Sequence, residues 1–409
     1  MSSEKFKIVL VSHTLPPSSS GQAIMIYRIF KNFPKEKYSF IATNLDYDSK
    51  RPKATKKLPG KYHYLQTPIK LAPLHMPRLG FINTIKNFFR NFYLMNLAII
   101  TKTFQLVKIL RKEKASVVIA CTANLPNIPA AFIASKITGT NYVPYIFDDL
   151  AYQTTGAWRA FSRVLERFIL KRSSDIIVTN KYMQAEYFKR YGVSSTIIHN
   201  PTTFFEDRNK KDKTSFDKDK VNIVFTGAIY SAQIDALYNL VEAIKVSERT
   251  NIELHLYTDT SLEILKKHKL IQDFVKYHEY VSSDKIPSIL TNAQILFLPL
   301  AFESDRPEVI RSASPGKMGD YLAAGGLILV NAPADSFISW YFTHNNCGKV
   351  VTTTDVKEFS KALTDLIENK ELQAKLRKNA LKQAKKDFIA PIVRDDFISF
   401  LKTINEKCQ

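Results

Sequence analysis

The residue types best suited to chemistry lie in one short stretch, Ser314-Pro315-Gly316-Lys317-Met318-Gly319-Asp320-Tyr321-Leu322-Ala323-Ala324-Gly325. An apolar run, Ile295–Leu300, and a polar loop precede it, and a second apolar run, Leu327–Val330, follows. This order predicts strand, loop, helix, strand. Ser314 suits the N-cap, and Pro315 the first helical position, where a missing N–H costs nothing. The free N–H groups of such a helix end attract an anion, most often a phosphate. Lys317 adds a cation on the same helical face as Asp320. Counted from Ser314, Asp320 lies two turns in, roughly 9 Å along the axis at 1.5 Å per residue. A ribose would reach that depth if its diphosphate touched Ser314 and Gly316 at the helix tip, and a carboxylate there can hold two sugar hydroxyls.

Further candidates surround this segment. Arg306 and Arg311 flank it and, with Lys317, could stabilise a leaving diphosphate, which develops negative charge. Glu303 and Asp305 share their loop. Gly227 opens the turn Thr226–Ser231 after another apolar run, and Gly21 closes a Pro-Pro-x-x-x-Gly loop after the first one. Asp148 and Asp149 end the run Tyr142–Phe147, at the strand edge where α/β proteins bind ligands. Either carboxylate could face a substrate or cap the next helix, and the sequence does not choose between them. His13 and His75 stand in loops.

Several chemistries are excluded by motif. G-x-G-x-x-G is missing after the first strand, and no Walker A, nucleophile elbow, H-E-x-x-H or kinase signature occurs. The eight histidines show no ligand spacing, and the three cysteines, Cys121, Cys347 and Cys408, suggest neither a disulfide framework nor a zinc site. No metal and no cofactor is expected, and a reducing cytoplasm fits the cysteines.

The elements that must hold these residues alternate strand and helix. In the first half, strands are expected at Lys7–Ser12, Tyr38–Thr43, Val117–Cys121, Tyr142–Phe147, Asp175–Thr179 and Ser195–His199. Helices are expected at about 22–33, Phe81–Lys112, Pro126–Thr138, Trp158–Arg172 and Lys181–Tyr191. Residues 46–80 read as irregular loop. Asp207–Lys220 is charged, nearly free of apolar residues and without period, as a linker would be. A second series starts at Val221–Thr226 and ends in helical patterns at Lys370–Lys386 and Pro391–Thr403. With 409 residues and 45% hydrophobic content the chain is globular and too long for one core. We expect domains at 1–206 and 221–388, a linker at 207–220, and a final helix, 389–409, returning to the first domain.

Charge narrows the partners. The formal net charge is +21, and fifteen Lys and Arg against one acid between Lys50 and Lys114 supply fourteen of it. Phe81, Phe88, Phe89, Phe92 and Tyr93 lie among Lys86 and Arg90, a mix suited to a helix in an anionic lipid interface. Nucleic acid fits less well, because no recognisable binding module surrounds the segment. The longest uncharged apolar run, between Arg90 and Lys102, is too short to span a bilayer. No signal sequence is apparent at the start.

The 314–325 stretch resembles the donor-binding segment of the retaining GT-B glycosyltransferases of family 4, in which Pro-Ser/Gly-Lys precedes Asp/Glu-Tyr-Leu-Ala-Ala-Gly. Gly21 in its Pro-Pro loop, Leu165-Glu166-Arg167 before Ser174–Val178, and Asn200-Pro201 repeat the same family's rhythm. The resemblance implies two Rossmann-like domains of GT-B type facing across a cleft. It implies a hexosyltransferase moving a sugar from a nucleotide-sugar to a glycan or lipid-linked acceptor, with retention, in polysaccharide assembly. Asp320 would then bind ribose, with Gly21 and Asp148 or Asp149 near sugar and acceptor. One departure stands out. Family members carry an Arg right after the glycine of the 226–231 turn and a Lys about five residues later; here Ala228 and Gln233 occupy those places. A nucleotide-sugar epimerase of like architecture, or a non-catalytic nucleic-acid or membrane binder on this fold, are the alternatives.

Overall fold

Two parallel sheets carry the chain, and each belongs to its own unit. The structure is a computed structural model describing residues 6–42, 53–65, 81–207 and 216–406. Most of the expected linker, His75, Cys408 and the side chains of Phe81, Lys86 and Phe88 lie outside the described residues. The first unit comprises Met1–His199 with Arg394–Gln409, and the second Asn200–Val393.

In the first unit, β1 (Ile8–Ser12), β2 (Tyr38–Ala42), β3 (Lys61–Tyr64), β4 (Val117–Cys121), β5 (Asn141–Ile146), β6 (Ile177–Val178) and β7 (Thr196–Ile197) form one sheet. Their order is β3-β2-β1-β4-β5-β6-β7. The helices are α1 (Gly21–Phe30), α2 (Phe81–Glu113), α3 (Asn127–Thr138), α4 (Gly156–Leu170) and α5 (Lys181–Tyr191). The five-residue strands β1, β2 and β4 are buried throughout, as strands covered on both faces must be. Strand β3 corrects the expectation of irregular loop over 46–80. Its sequence Lys-Tyr-His-Tyr has no apolar run, and it is fixed by pairing with β2 and by a distant carboxylate. Buried Glu113, at the end of α2, takes Lys7, Lys61, His63 and the Ser39 hydroxyl together. Burial works against that carboxylate, but the bonds from Lys7, Ser39 and Lys61 outweigh it and hold the pKa near about 2.

Right-handed crossovers place α2, α3 and α4 in one layer over this sheet. Met95, Ile99, Leu106 and Leu110 pack there with Ile128, Phe132, Trp158 and Ile169. The C-terminal residues pack on α1, where Arg394 Nε donates to the Arg28 carbonyl and Phe397 meets the rings of Phe30 and Phe33.

The second unit has β8 (Val221–Thr226), β9 (Ile252–Tyr257), β10 (Val275–His278), β11 (Ile295–Pro299), β12 (Leu327–Asn331) and β13 (Lys349–Val351), in the order β10-β9-β8-β11-β12-β13. Its helices are α6 (Phe204–Asp207), α7 (Ile234–Val246), α8 (Leu262–Lys267), α9 (Ile286–Asn292), α10 (Pro307–Ser312), α11 (Lys317–Ala324), α12 (Phe337–His344), α13 (Val356–Glu368) and α14 (Lys370–Gln383). A π-helical turn, Ala384–Phe388, leads to α15 (Ala390–Glu406). The core joins Phe225, Leu254 and Phe297 of the sheet to Leu240 and Phe359 of α7 and α13.

In each unit the strand order reverses beside the first strand, between β1 and β4 and between β8 and β11. Chain leaving the two strands diverges there and opens a crevice at their carboxyl ends, the usual ligand position in such sheets.

Candidate functional site

Three parts of the second unit meet at its reversal point: the turn after β8, helix α11 after β11, and the segment Asn200–Thr202. Gly227 follows β8 with φ +111°, a conformation that L side chains rarely adopt, and its N–H donates to the Tyr257 carbonyl at 2.8 Å. A Cβ built on Gly227 would stand 3.2 Å from Lys317 Nζ. The ammonium thus lies against the bare backbone of this turn, 3.8 Å from the centre of the Phe225 ring. One helical turn later, Tyr321 reaches the same strand end, where its hydroxyl oxygen accepts from Thr226 N–H at 3.1 Å. Burial lifts that hydroxyl to about 12. Lys317 and Tyr321, four residues apart, therefore dock one face of α11 onto the end of β8.

No carboxylate among the described residues pairs with Lys317. Loss of solvent pushes its ammonium down to about 7, well below an ordinary lysine. A half-buried cation over an aromatic face, beside backbone free of side chain, can receive an anion.

Helix α11 begins at Lys317, and this corrects the expected start. Ser314 does not cap it: the N-cap is Gly316, without a side-chain bond, and Met318 N–H donates to the Pro315 carbonyl. Ser314 Oγ is buried and has no hydrogen-bond partner among the described residues, while its carbonyl accepts from Asn200 Nδ2 at 2.9 Å. That long-range bond holds Ser314–Gly316 as a turn. Asp320 consequently lies in the first turn of the helix, not two turns in. Its Oδ1 accepts from Thr202 Oγ1, and Thr202 is itself fixed by backbone bonds to Phe388 and Ala390. Gly319 lets this packing close, since a Cβ there would meet Phe388 at 3.3 Å.

The other two cations stand apart. Arg311 is half exposed and donates through Nε to Asp335 at 2.9 Å. Arg306 precedes the six-residue helix α10 and makes no ion pair among the described residues. Glu303 and Asp305 are exposed. Their loop is tied to α7 instead, because Asp235 Oδ2 accepts from the N–H groups of Phe302 and Glu303.

In the first unit, Gly21 starts α1 at the reversal point, with Ser20 as cap accepting from Ala23 N–H. A Cβ on Gly21 meets nothing within 4 Å, so local packing does not demand a glycine. Gln22 crosses the crevice and donates to the Thr122 carbonyl at 2.9 Å.

The two carboxylates after β5 separate cleanly. Asp149 is buried and bound to Arg190, and its Oδ1 also accepts from Tyr152 N–H. Arg190 faces Glu166 at 3.6 Å and Glu186 at 3.2 Å as well. Tyr187 and Tyr191 donate their hydroxyls to Glu166. Burial raises the Asp149 carboxyl while Arg190 pulls against that rise; the Arg190 charge is held by Asp149, Tyr187 and Glu166 against its own burial. Burial and then Asp149 push Glu166 to about 7. Asp149 therefore anchors α5 in the fold, a role its position in the sequence does not reveal. Asp148 is the exposed member, its carboxylate making no bond to another described residue. Surrounding protein and then Asp149 raise its pKa.

Burial, and then the charge of Lys102, lower the pKa of His13. Among the described residues no group of three or more His, Cys, Asp or Glu side chains is placed to hold a metal ion. Sequence reasoning missed Tyr321, Thr202 and Asn200. Only the Asn-Pro step at 200–201 signalled that this segment mattered.

Residues 206–383 match the family model described as Glycosyl transferases group 1. Solved structures resembling the whole chain share its fold at low identity. Sucrose-phosphate synthase from Thermosynechococcus elongatus superposes with TM-score 0.70 at 14% identity, covering 98% of this chain and 100% of its own. HepE from Anabaena in complex with UDP-glucose gives 0.65 at 12%, covering 97% and 99%. A putative UDP-N-acetylglucosamine 2-epimerase from Listeria monocytogenes gives 0.60 at 14%, covering 98% and 97%. The fold is GT-B, two Rossmann-like α/β units. No curated protein matches the chain in sequence.

Proposed function

We propose that the protein transfers a hexose, with anomeric retention, from a nucleotide-sugar to a glycan or lipid-linked acceptor in the assembly of a polysaccharide. The observation that carries this reading is Lys317, a half-buried cation at the turn after β8 with no carboxylate partner among the described residues. The family that the sequence resembles places a diphosphate-binding Arg in this turn. Here Ala228 replaces it, and an ammonium from α11 arrives in space instead. Lys317 and the first N–H groups of α11 would hold the diphosphate and take up the charge that develops as it leaves. Asp320, beside them in the first turn, would accept the ribose hydroxyls. In the first unit, Gly21 and Asp148 would lie toward sugar and acceptor, while Asp149 keeps its structural place. Retention is supported by the wording of 314–325, which resembles the retaining enzymes. The described cysteines, Cys121 and Cys347, are buried free thiols, consistent with a cytoplasmic setting.

The resemblance to an epimerase favours a second reading, alteration of the nucleotide-sugar itself, because the fold alone does not separate the two. Incubation of donor without acceptor distinguishes them: transfer leaves the sugar unchanged, epimerisation inverts a centre.

The donor class is tested by thermal shift against UDP, GDP, ADP, CMP and their sugar conjugates, since a ligand that binds only the folded state raises its stability. One nucleotide is expected to shift the wild type and to lose that shift in Asp320→Ala. A folded protein answering to none would overturn the proposal.

A further inference from the structure

The three-helix layer of the first unit has an outer surface unlike that of a soluble domain. A helix packed on a sheet normally turns a polar face outward. Helix α2 buries Met95, Ile99, Leu106 and Leu110, yet its opposite stripe is Phe89, Phe92, Tyr93, Leu97, Ile100 and Phe104, between 37% and 68% exposed. The neighbouring helices continue it, with Ile133 and Ile137 on α3 and Val164 and Phe168 on α4, all exposed. These helices share one surface: the Phe92 ring meets Phe161 of α4 at 5.6 Å, and Phe132 of α3 meets Phe168 of α4 at 6.0 Å. Large apolar patches of this kind mark binding sites.

Charge identifies what binds. The only acids on α2, α3 and α4 are Glu113 and Glu166, and both are buried. Every charged side chain these three helices expose is therefore cationic. Lys108, Arg111 and Lys112 end α2, and Arg163 and Arg167 alternate with Val164 and Phe168 on α4. Lys136 and Arg172 lie over the rings of Phe132 and Phe168, their stems covering apolar surface.

We propose that the outer face of α2, α3 and α4 docks on an anionic lipid surface, its aromatic and aliphatic side chains in the headgroup boundary and its Lys and Arg on lipid phosphates. Interleaved cations without a single exposed acid complement an anionic bilayer, whereas a protein partner of mixed charge would leave them uncompensated. Residues Phe89–Glu113 are long and apolar enough to cross a membrane by length and composition, more than the Arg90–Lys102 run alone suggested. The other stripe of α2 is core, packed with α3 and the sheet, so the helix lies on the membrane instead of crossing it. The proposal concerns the first unit alone and stands independently of the donor site.

Flotation of the full-length protein with phosphatidylcholine vesicles, with and without a quarter of phosphatidylglycerol, tests it at low and physiological salt. The wild type is expected to bind anionic vesicles at least about tenfold better than neutral ones, more strongly at low salt. Combined Tyr93→Ser, Ile100→Ser and Phe104→Ser should lower binding about tenfold. Arg163→Gln with Arg167→Gln should remove most of the preference for anionic lipid while leaving the apolar surface whole. That second variant decides the matter if the first does not fold, as judged by its melting transition. No binding of the wild type to anionic vesicles at low salt would overturn the proposal, as would unchanged binding by both variants. So would self-association of the wild type that the triple substitution abolishes, without vesicle binding. Loss of the nucleotide shift with vesicle binding intact would count against the donor reading only.

Discussion

Arg190 in the first unit has a buried side chain and Lys317 in the second is half-buried, and the two cations differ in their counter-charges. Arg190 is enclosed by Asp149, Glu166 and Glu186, and its charge is sustained by protein groups from three segments. Lys317 has an aromatic face and a bare glycine turn, and burial drives its pKa down toward neutrality. An ion that the fold has already neutralised holds structure together; one kept without a partner is available to a ligand. The same difference separates Asp149, buried against Arg190, from the adjacent and exposed Asp148.

The sharpest way to break this contrast is to remove each cation's function. Lys317→Met should cost roughly a hundredfold to a thousandfold in kcat/KM for transfer, the usual loss when one charge-stabilising group goes. The melting temperature should stay level or rise, since a desolvated charge has been deleted. Full activity in this variant would show that Lys317 is merely buried. Asp149→Ala should behave inversely. Leaving Arg190 and Glu166 without their partner should cost about 3 kcal/mol of stability, read by denaturant unfolding of the first unit. Nucleotide binding by the second unit should be retained. A stable but inactive Asp149→Ala protein would return Asp149 to the chemistry.

Much of the scaffold could be read from the chain because it is locally encoded. Val221–Thr226 is an apolar run of strand length, and Lys181–Tyr191 lies between an Asn cap and a terminal glycine; both have the expected bounds. Strand β3 escaped because Lys61–Tyr64 depends on β2 and on Glu113, fifty residues away. The start of α11 was misplaced for a similar reason. Ser314-Pro315 has the local signature of a helix N-terminus, but Asn200 holds the Ser314 carbonyl across more than a hundred residues and delays the helix. The cluster of Asp149, Glu166 and Arg190 has no periodic signal either. At the site, Asp320 and Lys317 were visible as residue types, whereas the meeting of Lys317 with Gly227 was not. One clue existed: a turn lacking the Arg that the resembling family carries there, and a lysine at the head of the helix after β11.

The most direct test of the donor site is the pH dependence of nucleotide-sugar affinity, measured by calorimetry on the wild type and on Lys317→Met. The free protein holds Lys317 near about 7, below the 10.5 of an unperturbed lysine. In the free fold, that depression weakens stability as pH falls from 10.5 toward 7. A bound diphosphate favours the charged form, so binding above pH 7 takes up a proton. Affinity should then weaken by roughly tenfold per pH unit above 7 and level off below it. The Lys317→Met protein should bind more weakly and with a flat profile over the same range. A wild-type affinity that is constant from neutral to alkaline pH, or a slope that survives in Lys317→Met, would contradict the assignment of Lys317 as the cation that meets the diphosphate.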